Sequence, residues 1–447
     1  MSPENSYRET IEYLYALQKH GIKLALANSA ALMELMGNPH RKFRSVHIAG
    51  TNGKGSTSAF LAGMLGAAGY RVGLYTSPHL VSFTERIRIN NAPITEARAV
   101  ELARRVREAY QGASTGGAAL NPTFFEVTTA MAFTYFAEEG VDVAVVETGM
   151  GGRLDATNVI APLATVITNI DLEHTEFLGH TLELIAGEKA GIIKSGIPVV
   201  TGAAQPAAIR VIERKAGERR APVLRLYRDF SPGRISSGRE QRFDYRGTRA
   251  SYDRLVITML GRYQVDNACL ALAAIESLRD AGVTVGEEAL RRGLEHTRWE
   301  GRLELVARKP DVYLDGAHNP ASARMLADAV RELKRSYRRL TLVLGILGDK
   351  DFRGIIGELV PLADRVIVTR PGYARAMDPA GLAAEVRTRH GSVAAEETVG
   401  KAVARAQAEA SPDELILVTG SLYVVGDART AILRQADPAS ALSGLKG

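Results

Sequence analysis

Short runs of β-branched and apolar residues recur along the chain, and most are followed by a stretch with helical spacing. The clearest lie at residues 46–49, 71–75, 141–146 and 165–168. The last two are almost free of polar interruptions, as expected for strands covered on both faces. Residues 124–139 carry helical periodicity between them. This alternation predicts a mostly parallel sheet built from βαβ units. Residues 230–254 break the rhythm, being polar and rich in Gly, Ser and Arg ahead of a further strand at 255–258. They are expected to form a hairpin-containing elaboration on the edge of the sheet. Helical spacing returns at 264–278 and 286–294, and a second α/β series places strands at 312–314, 341–344, 365–369 and 415–419.

A chain of 447 residues exceeds what one hydrophobic core usually supports, so two domains are expected. The division falls at a short Gly-containing connector, residues 298–302, between a domain at 1–297 and a smaller one at 303–447. Residues from about Asp437 onward read as a frayed tail.

Composition narrows the function. The single cysteine, Cys269, excludes a disulfide framework within the chain and reads as a small buried hydrophobe. The segment from Met1 to Arg8 has no basic stretch followed by an apolar signal core, and no run approaches the roughly 18 apolar residues that cross a bilayer. A cytoplasmic protein without membrane contact is expected. The net charge of +6 is spread over scattered residues, with no long Lys/Arg run interleaved with aromatics, so nucleic acid is not expected as a partner. A solvated basic surface and a site for polyanionic small molecules both account for the charge.

The chemistry begins at residues 46–57, Val-His-Ile-Ala-Gly-Thr-Asn-Gly-Lys-Gly-Ser-Thr, which run from a strand into a helix. Gly50, Gly53 and Gly55 let backbone N–H groups turn toward an anion at the helix N-terminus. Lys54 supplies a charge for terminal phosphates, and Ser56 or Thr57 a hydroxyl on the metal side. Gly55 intervenes between lysine and hydroxyl, a departure from the commonest spacing. Glu147 ends an apolar strand and precedes the glycine-rich 148–158 segment, and His174 follows another strand. Strand ends are often polar, but two such residues beside a phosphate loop, at the carboxyl edge of a parallel sheet, point to a site.

These segments, with residues 75–80 (Tyr-Thr-Ser-Pro-His-Leu), 170–194, 261–267, 300–302 and 315–320 (Asp-Gly-Ala-His-Asn-Pro), resemble the bacterial folylpolyglutamate synthase/dihydrofolate synthases of the Mur-type amide ligases. The resemblance implies an α/β fold, with a P-loop-containing, mostly parallel sheet domain and a second, smaller Rossmann-like domain. It implies ATP, contacted by Asn52, Gly53, Lys54, Gly55, Ser56 and Thr57, with Asn267, Arg302 and Asp315 at adenine and ribose. Two Mg²⁺ ions are implied on Ser77, Glu147, His174 and Lys189, the lysine bearing a carbamate. A pterin end is expected near Phe124, Glu126, Leu154, Asp155 and Ala156, while Phe125 reads as core. His318 is expected to orient the incoming amino acid, with a base role as the alternative, and Lys54 and Lys189 complete the catalytic set.

The implied reaction joins L-glutamate to dihydropteroate, tetrahydrofolate or its polyglutamates, in a monomeric enzyme. Phosphoryl transfer from ATP would turn the carboxylate into an acyl phosphate, whose leaving group is phosphate rather than oxide. Folylpolyglutamate synthesis alone is one alternative, and a cell-wall Mur ligase acting on UDP-linked peptides is another. The 77–79 segment and the absence of an obvious N-terminal UDP-binding domain argue against the latter. A non-catalytic ATP-binding switch would leave Glu147, His174 and Lys189 without a role.

Overall fold

The computed structural model describes residues 3–21, 25–113, 120–236, 238 and 240–436; the expected tail from Asp437 lies outside them. Its first sheet has eight strands: β1 (Arg44–Ala49), β2 (Val72–Tyr75), β3 (Ile87–Ile89), β4 (Ala92–Pro93), β5 (Val143–Glu147), β6 (Ala164–Ile167), β7 (Val199–Thr201) and β8 (Val223–Arg225). Their order is β4-β3-β2-β5-β1-β6-β7-β8. All neighbours are parallel except β2–β3 and β3–β4. The apolar runs at 46–49, 71–75, 141–146 and 165–168 are therefore four adjacent central strands, and every residue of β5 is buried.

Alternation along these strands builds two cores. Val46, Ile48, Val143 and Val145 face Phe60, Leu61 and Met64 of helix Lys54–Ala67 and Ala268, Leu272 and Ile275 of helix Arg262–Leu278. Tyr75, Ala144 and Val146 face Phe133 and Phe136 of helix Phe124–Glu138. Truncating a fully buried ring such as Phe133 to alanine would cost about 3–5 kcal/mol, so these layers hold the strand ends in fixed register.

The segment expected to extend the sheet edge does something else. Strands β9 (Ser231–Ser236), β10 (Gln241–Arg246) and β11 (Ser251–Ile257) form a separate antiparallel sheet in the order β11-β10-β9. Its inward residues Phe243, Tyr245, Tyr252 and Leu255 join the core under helix Arg262–Leu278. One apolar face drives it onto a helix, where edge pairing would have left that face in water.

The third sheet contains β12 (Glu304–Ala307), β13 (Asp311–Leu314), β14 (Leu340–Leu344), β15 (Arg365–Val368), β16 (Val393–Ala395) and β17 (Leu415–Thr419). The order is β12-β13-β17-β14-β15-β16, parallel except for β12. Leu342, Leu344 and Leu417 pack on one face and Val343, Ile416 and Val418 on the other, so helices cover both sides. Between helix Glu287–His296 and β12 the chain has no regular element. Among the described residues, no helix is long and apolar enough to cross a membrane.

Candidate active site

The loops after β2, β5, β1 and β6 leave four neighbouring strands at their carboxyl ends, where parallel sheets form crevices. They carry, in that order, Ser77, Glu147, the phosphate loop and His174. Across an open cleft of about 840 Å³ stand Arg302, Asp315, Ala317 and His318, the last three from the loop after β13.

The phosphate loop has little room for side chains. Gly50 has φ of +153° and Gly53 of +83°, and a Cβ would overlap Thr168 Oγ1 at the first and Asn267 Oδ1 at the second. A Cβ on Gly55 would lie 2.8 Å from the indole nitrogen of Trp299. Helix Lys54–Ala67 begins at once, so its unpaired N–H groups face the cleft. Lys54 Nζ folds back to donate to the carbonyls of Gly50 and Thr51, each at 3.1 Å. Asn52 and Ser56 line the same cleft, and Ser56 and Thr57 are buried.

Glu147 is buried, and one carboxylate oxygen accepts the Ser77 N–H at 3.2 Å. Burial raises its pKa, while Lys54, the Ser77 amide and Arg302 pull it back. His174 occupies the left-handed region at φ 51°, and burial lowers its pKa to about 4 despite the neighbouring Glu173. Its imidazole is therefore neutral at pH 7, as metal ligation requires. Among the described residues, no three His, Cys, Asp or Glu side chains form a metal cluster. The Ser77, Glu147 and His174 set fits a magnesium ion held chiefly by nucleotide phosphates, which needs few protein ligands.

Lys189 ends helix Leu182–Lys189, and its Nζ donates to the Gly50 carbonyl at 2.7 Å. Burial, then the charge of Lys54, lowers its pKa to about 7. An unmodified ammonium cannot ligate a metal, but a lysine lowered this far presents a large fraction of neutral, nucleophilic amine.

At the end of the cleft expected to take the nucleotide, Asn267 Nδ2 donates to Gln264 Oε1 at 2.9 Å, and the fully buried Gln264 leaves its Nε2 without a partner among the described residues. Both residues line the cleft. Asp315 is buried, and its two oxygens accept the N–H groups of Leu303 and Ala317, each at 2.9 Å. Burial raises its carboxyl and Arg302 opposes the shift.

The residues expected at the pterin end also come together, since helix Phe124–Glu138 packs against the short turn Ala156–Val159. Two of them have internal partners. Glu126 closes a capping box: its carboxylate accepts the Thr123 N–H at 2.6 Å while Thr123 Oγ1 accepts its own N–H. Asp155 accepts the N–H groups of Met150 and Thr157 and the Thr157 hydroxyl, organising the glycine loop. Burial raises the Asp155 carboxyl, and those hydrogen bonds oppose it. Leu154 is half-buried and Ala156 buried beside it. Phe124 stacks on Tyr15 at 5.6 Å, with the Arg86 guanidinium 5.1 Å from its ring centroid. Phe125 stacks on Tyr75 within the core, as expected.

Two residues that sequence reasoning passed over join the two halves. Glu173 Oε1 accepts from His318 Nε2 at 3.1 Å and Asn319 Nδ2 at 3.0 Å. Asn319 also exchanges hydrogen bonds with Asn52 of the phosphate loop. Burial acts to raise the Glu173 carboxyl, yet the His318 hydrogen bond and charge, with Lys54, hold it well below the ordinary range. The only sequence signals were an acid beside His174 and an Asn-Pro helix start.

Comparison with known proteins places the chain in a family. The Mur ligase middle domain matches residues 48–275, and the Mur ligase glutamate ligase domain matches 301–422. The dihydrofolate synthase/folylpolyglutamate synthase of Bacillus subtilis is 38% identical over 95% of this chain and 98% of its own. The Mycobacterium tuberculosis folylpolyglutamate synthase complexed with ADP superposes with a TM-score of 0.89 at 36% identity, covering 96% of this chain and 99% of that one. Escherichia coli FolC in complex with DHPP and ADP gives 0.85 at 30% identity, covering 96% and 98%. Matched along nearly its whole length in both sequence and fold, the chain belongs to the Mur ligases, in the branch of the dihydrofolate synthase/folylpolyglutamate synthases.

Proposed function

We propose that this ATP-dependent ligase adds L-glutamate to both dihydropteroate and reduced folates, through an acyl phosphate. The observation that carries the reading is the meeting of a phosphate loop, Glu147 and His174 from one sheet with the Asp315–His318 loop of another across a single cleft. The working units are residues 1–297 and 303–447, joined by 298–302. The loop N–H groups and Lys54 hold the triphosphate, and Asn267, Arg302 and Asp315 hold adenosine. Two magnesium ions, held by Ser77, Glu147, His174 and modified Lys189, would offset charge on the transferring phosphoryl group.

Lys54 leaves its two loop carbonyls to follow the γ-phosphoryl group onto the substrate carboxylate. His318 then orients the amino group of glutamate toward the acyl carbon, and the tetrahedral intermediate collapses to amide and phosphate. Fixing three reactants in one closed cleft supplies much of the acceleration. The neutral Lys189 amine attacks CO₂, forming an N–C bond and releasing a proton, and the resulting carbamate is an anion beside Lys54. The pterin of dihydropteroate stacks at Phe124, near Leu154, Asp155 and Ala156. A relative captured with DHPP and ADP supports a dedicated pocket of this kind.

ADP release, measured separately with dihydropteroate and with tetrahydrofolate, each with glutamate, tests the proposal. Release with both substrates is expected. Release with tetrahydrofolate alone would reduce the function to folylpolyglutamate synthesis, and release with neither would overturn it.

A further inference from the structure

Glu173 is buried, charged and absent from the chemistry above. Its side chain stands on the loop after β6, yet its Oε1 is bound by two residues from the loop after β13. On the other side of the His318 ring, Nδ1 lies 2.8 Å from the Gly316 carbonyl. Both ring nitrogens thus face oxygens, which fixes the plane of the imidazole in this arrangement. Asn319 is equally committed: Nδ2 donates to Glu173 and Asn52, while Oδ1 accepts from Asn52 and caps helix Pro320–Lys334 through Ser322 N. The result is a continuous polar bridge from the phosphate loop, through Asn319, to Glu173 and His318.

We propose that Glu173 is a positioning residue, a latch that draws the β13 loop onto the phosphate loop and sets the orientation of His318 toward the incoming amino acid. The clause about His318 rests on the proposed ligase reaction; the latch itself rests on geometry. A carboxylate is suited to the task because one oxygen can accept two charge-assisted or polar donors at once, and in a buried site such a bond is stronger than at a surface. The competing role for an acid next to His174 is magnesium ligation. Oε1 is already shared by two donors from the far side of the cleft, which leaves Oε2 for a metal, and Mg²⁺ affinity decides between the two roles.

The experiment compares wild type, Glu173→Gln, Glu173→Ala, His318→Ala and the Glu173→Ala/His318→Ala double variant. Three readouts are used: small-angle scattering of the ligand-free enzyme, ATP and Mg²⁺ affinity by calorimetry, and kinetics against glutamate. The latch predicts a larger radius of gyration for Glu173→Ala and a fall in kcat/KM for glutamate of about ten-fold or more, with ATP and Mg²⁺ affinities within about two-fold of wild type. The double variant should lose less than the product of the two single losses, because both changes break the shared Glu173–His318 bond. Glu173→Gln, which keeps an acceptor oxygen and the side-chain volume, should fall between wild type and alanine, and it carries the test if Glu173→Ala does not fold. Unchanged scattering with additive kinetic losses would overturn the latch, and so would a marked loss of Mg²⁺ affinity, which would make Glu173 a metal ligand. Absence of glutamate-dependent turnover in wild type would instead overturn the ligase reading, leaving the scattering result to judge the latch.

Discussion

Replacing Lys189 by methionine should make the enzyme more stable and nearly inactive. The side chain is buried against the Gly50 carbonyl, and its pKa of about 7 lies far below the ordinary 10.5. Between those two values the unfolded chain binds a proton that the folded chain lacks, so this group makes stability rise with pH across that window. At pH 7 the unfolded lysine is fully charged and the folded one about half charged, a handicap to folding of about 4 kcal/mol. Methionine keeps the approximate volume, removes the charge, and loses one hydrogen bond worth about 1 kcal/mol. The net gain is about 3 kcal/mol at pH 7, shrinking to about 1 kcal/mol at pH 9, because the proton that folding removes from the lysine is given up at lower cost as pH rises.

Urea unfolding followed by circular dichroism, in buffers freed of CO₂, measures both values. Adding bicarbonate should stabilise the wild type, by converting a repelled cation into an anion beside Lys54, and leave Lys189→Met unchanged. Acetate should restore part of the activity of Lys189→Ala by standing in for the missing carboxylate. A Lys189→Met midpoint at or below wild type at pH 7 without CO₂, or a gain that does not shrink with pH, would refute the electrostatic argument.

Other outcomes follow from the same site. Lys54→Ala leaves the glycines in place and should cut turnover by about two or more powers of ten, the scale of losing a preorganised charge contact, in steady-state ADP release. Asp155→Ala should depress the dihydropteroate reaction more than glutamate addition to tetrahydrofolate; since Asp155 also organises its loop, it should lower stability by about 1–3 kcal/mol in a melt, and equal loss in both reactions would assign it to the fold alone. Trp299, the only tryptophan, sits against Gly55, so ATP binding should change intrinsic fluorescence, and a silent titration of a competent enzyme would show that the connector does not sense the loop.

What could be read from the sequence was whatever repeats locally. The central strands announced themselves because burial on both faces demands continuous apolar runs, and the phosphate loop because its tight turns need glycine at Gly50 and Gly53. Strand-end position then located Glu147 and His174. The short outer strands β3, β4, β7 and β8 gave no such signal, since two or three residues carry too little periodicity to distinguish from loop. The β9–β11 sheet was recognised as antiparallel material, but which surface its apolar face would cover depends on helix Arg262–Leu278, whose spacing is legible in the sequence while its pairing with the sheet is not.

The pterin-side residues show where local reading stopped short although the signal was present. Thr123 and Glu126 stand three apart before an apolar helix, the pattern of a reciprocal cap, and that pattern already gives Glu126 a partner for its carboxylate. A carboxylate holding the first turn of helix Phe124–Glu138 also fixes where Phe124 points. The cross-cleft contacts had no local signal at all: Glu173 and His318 are 145 positions apart, and Asn52 and Asn319 are 267 apart. Each is an ordinary polar residue within its own loop, and its significance arises only when two sheets bring those loops face to face. Motifs therefore pointed to the groups proposed to touch phosphate and metal, whose chemistry is carried by a few neighbouring residues, while the groups that hold one half of the site against the other emerged only from the fold.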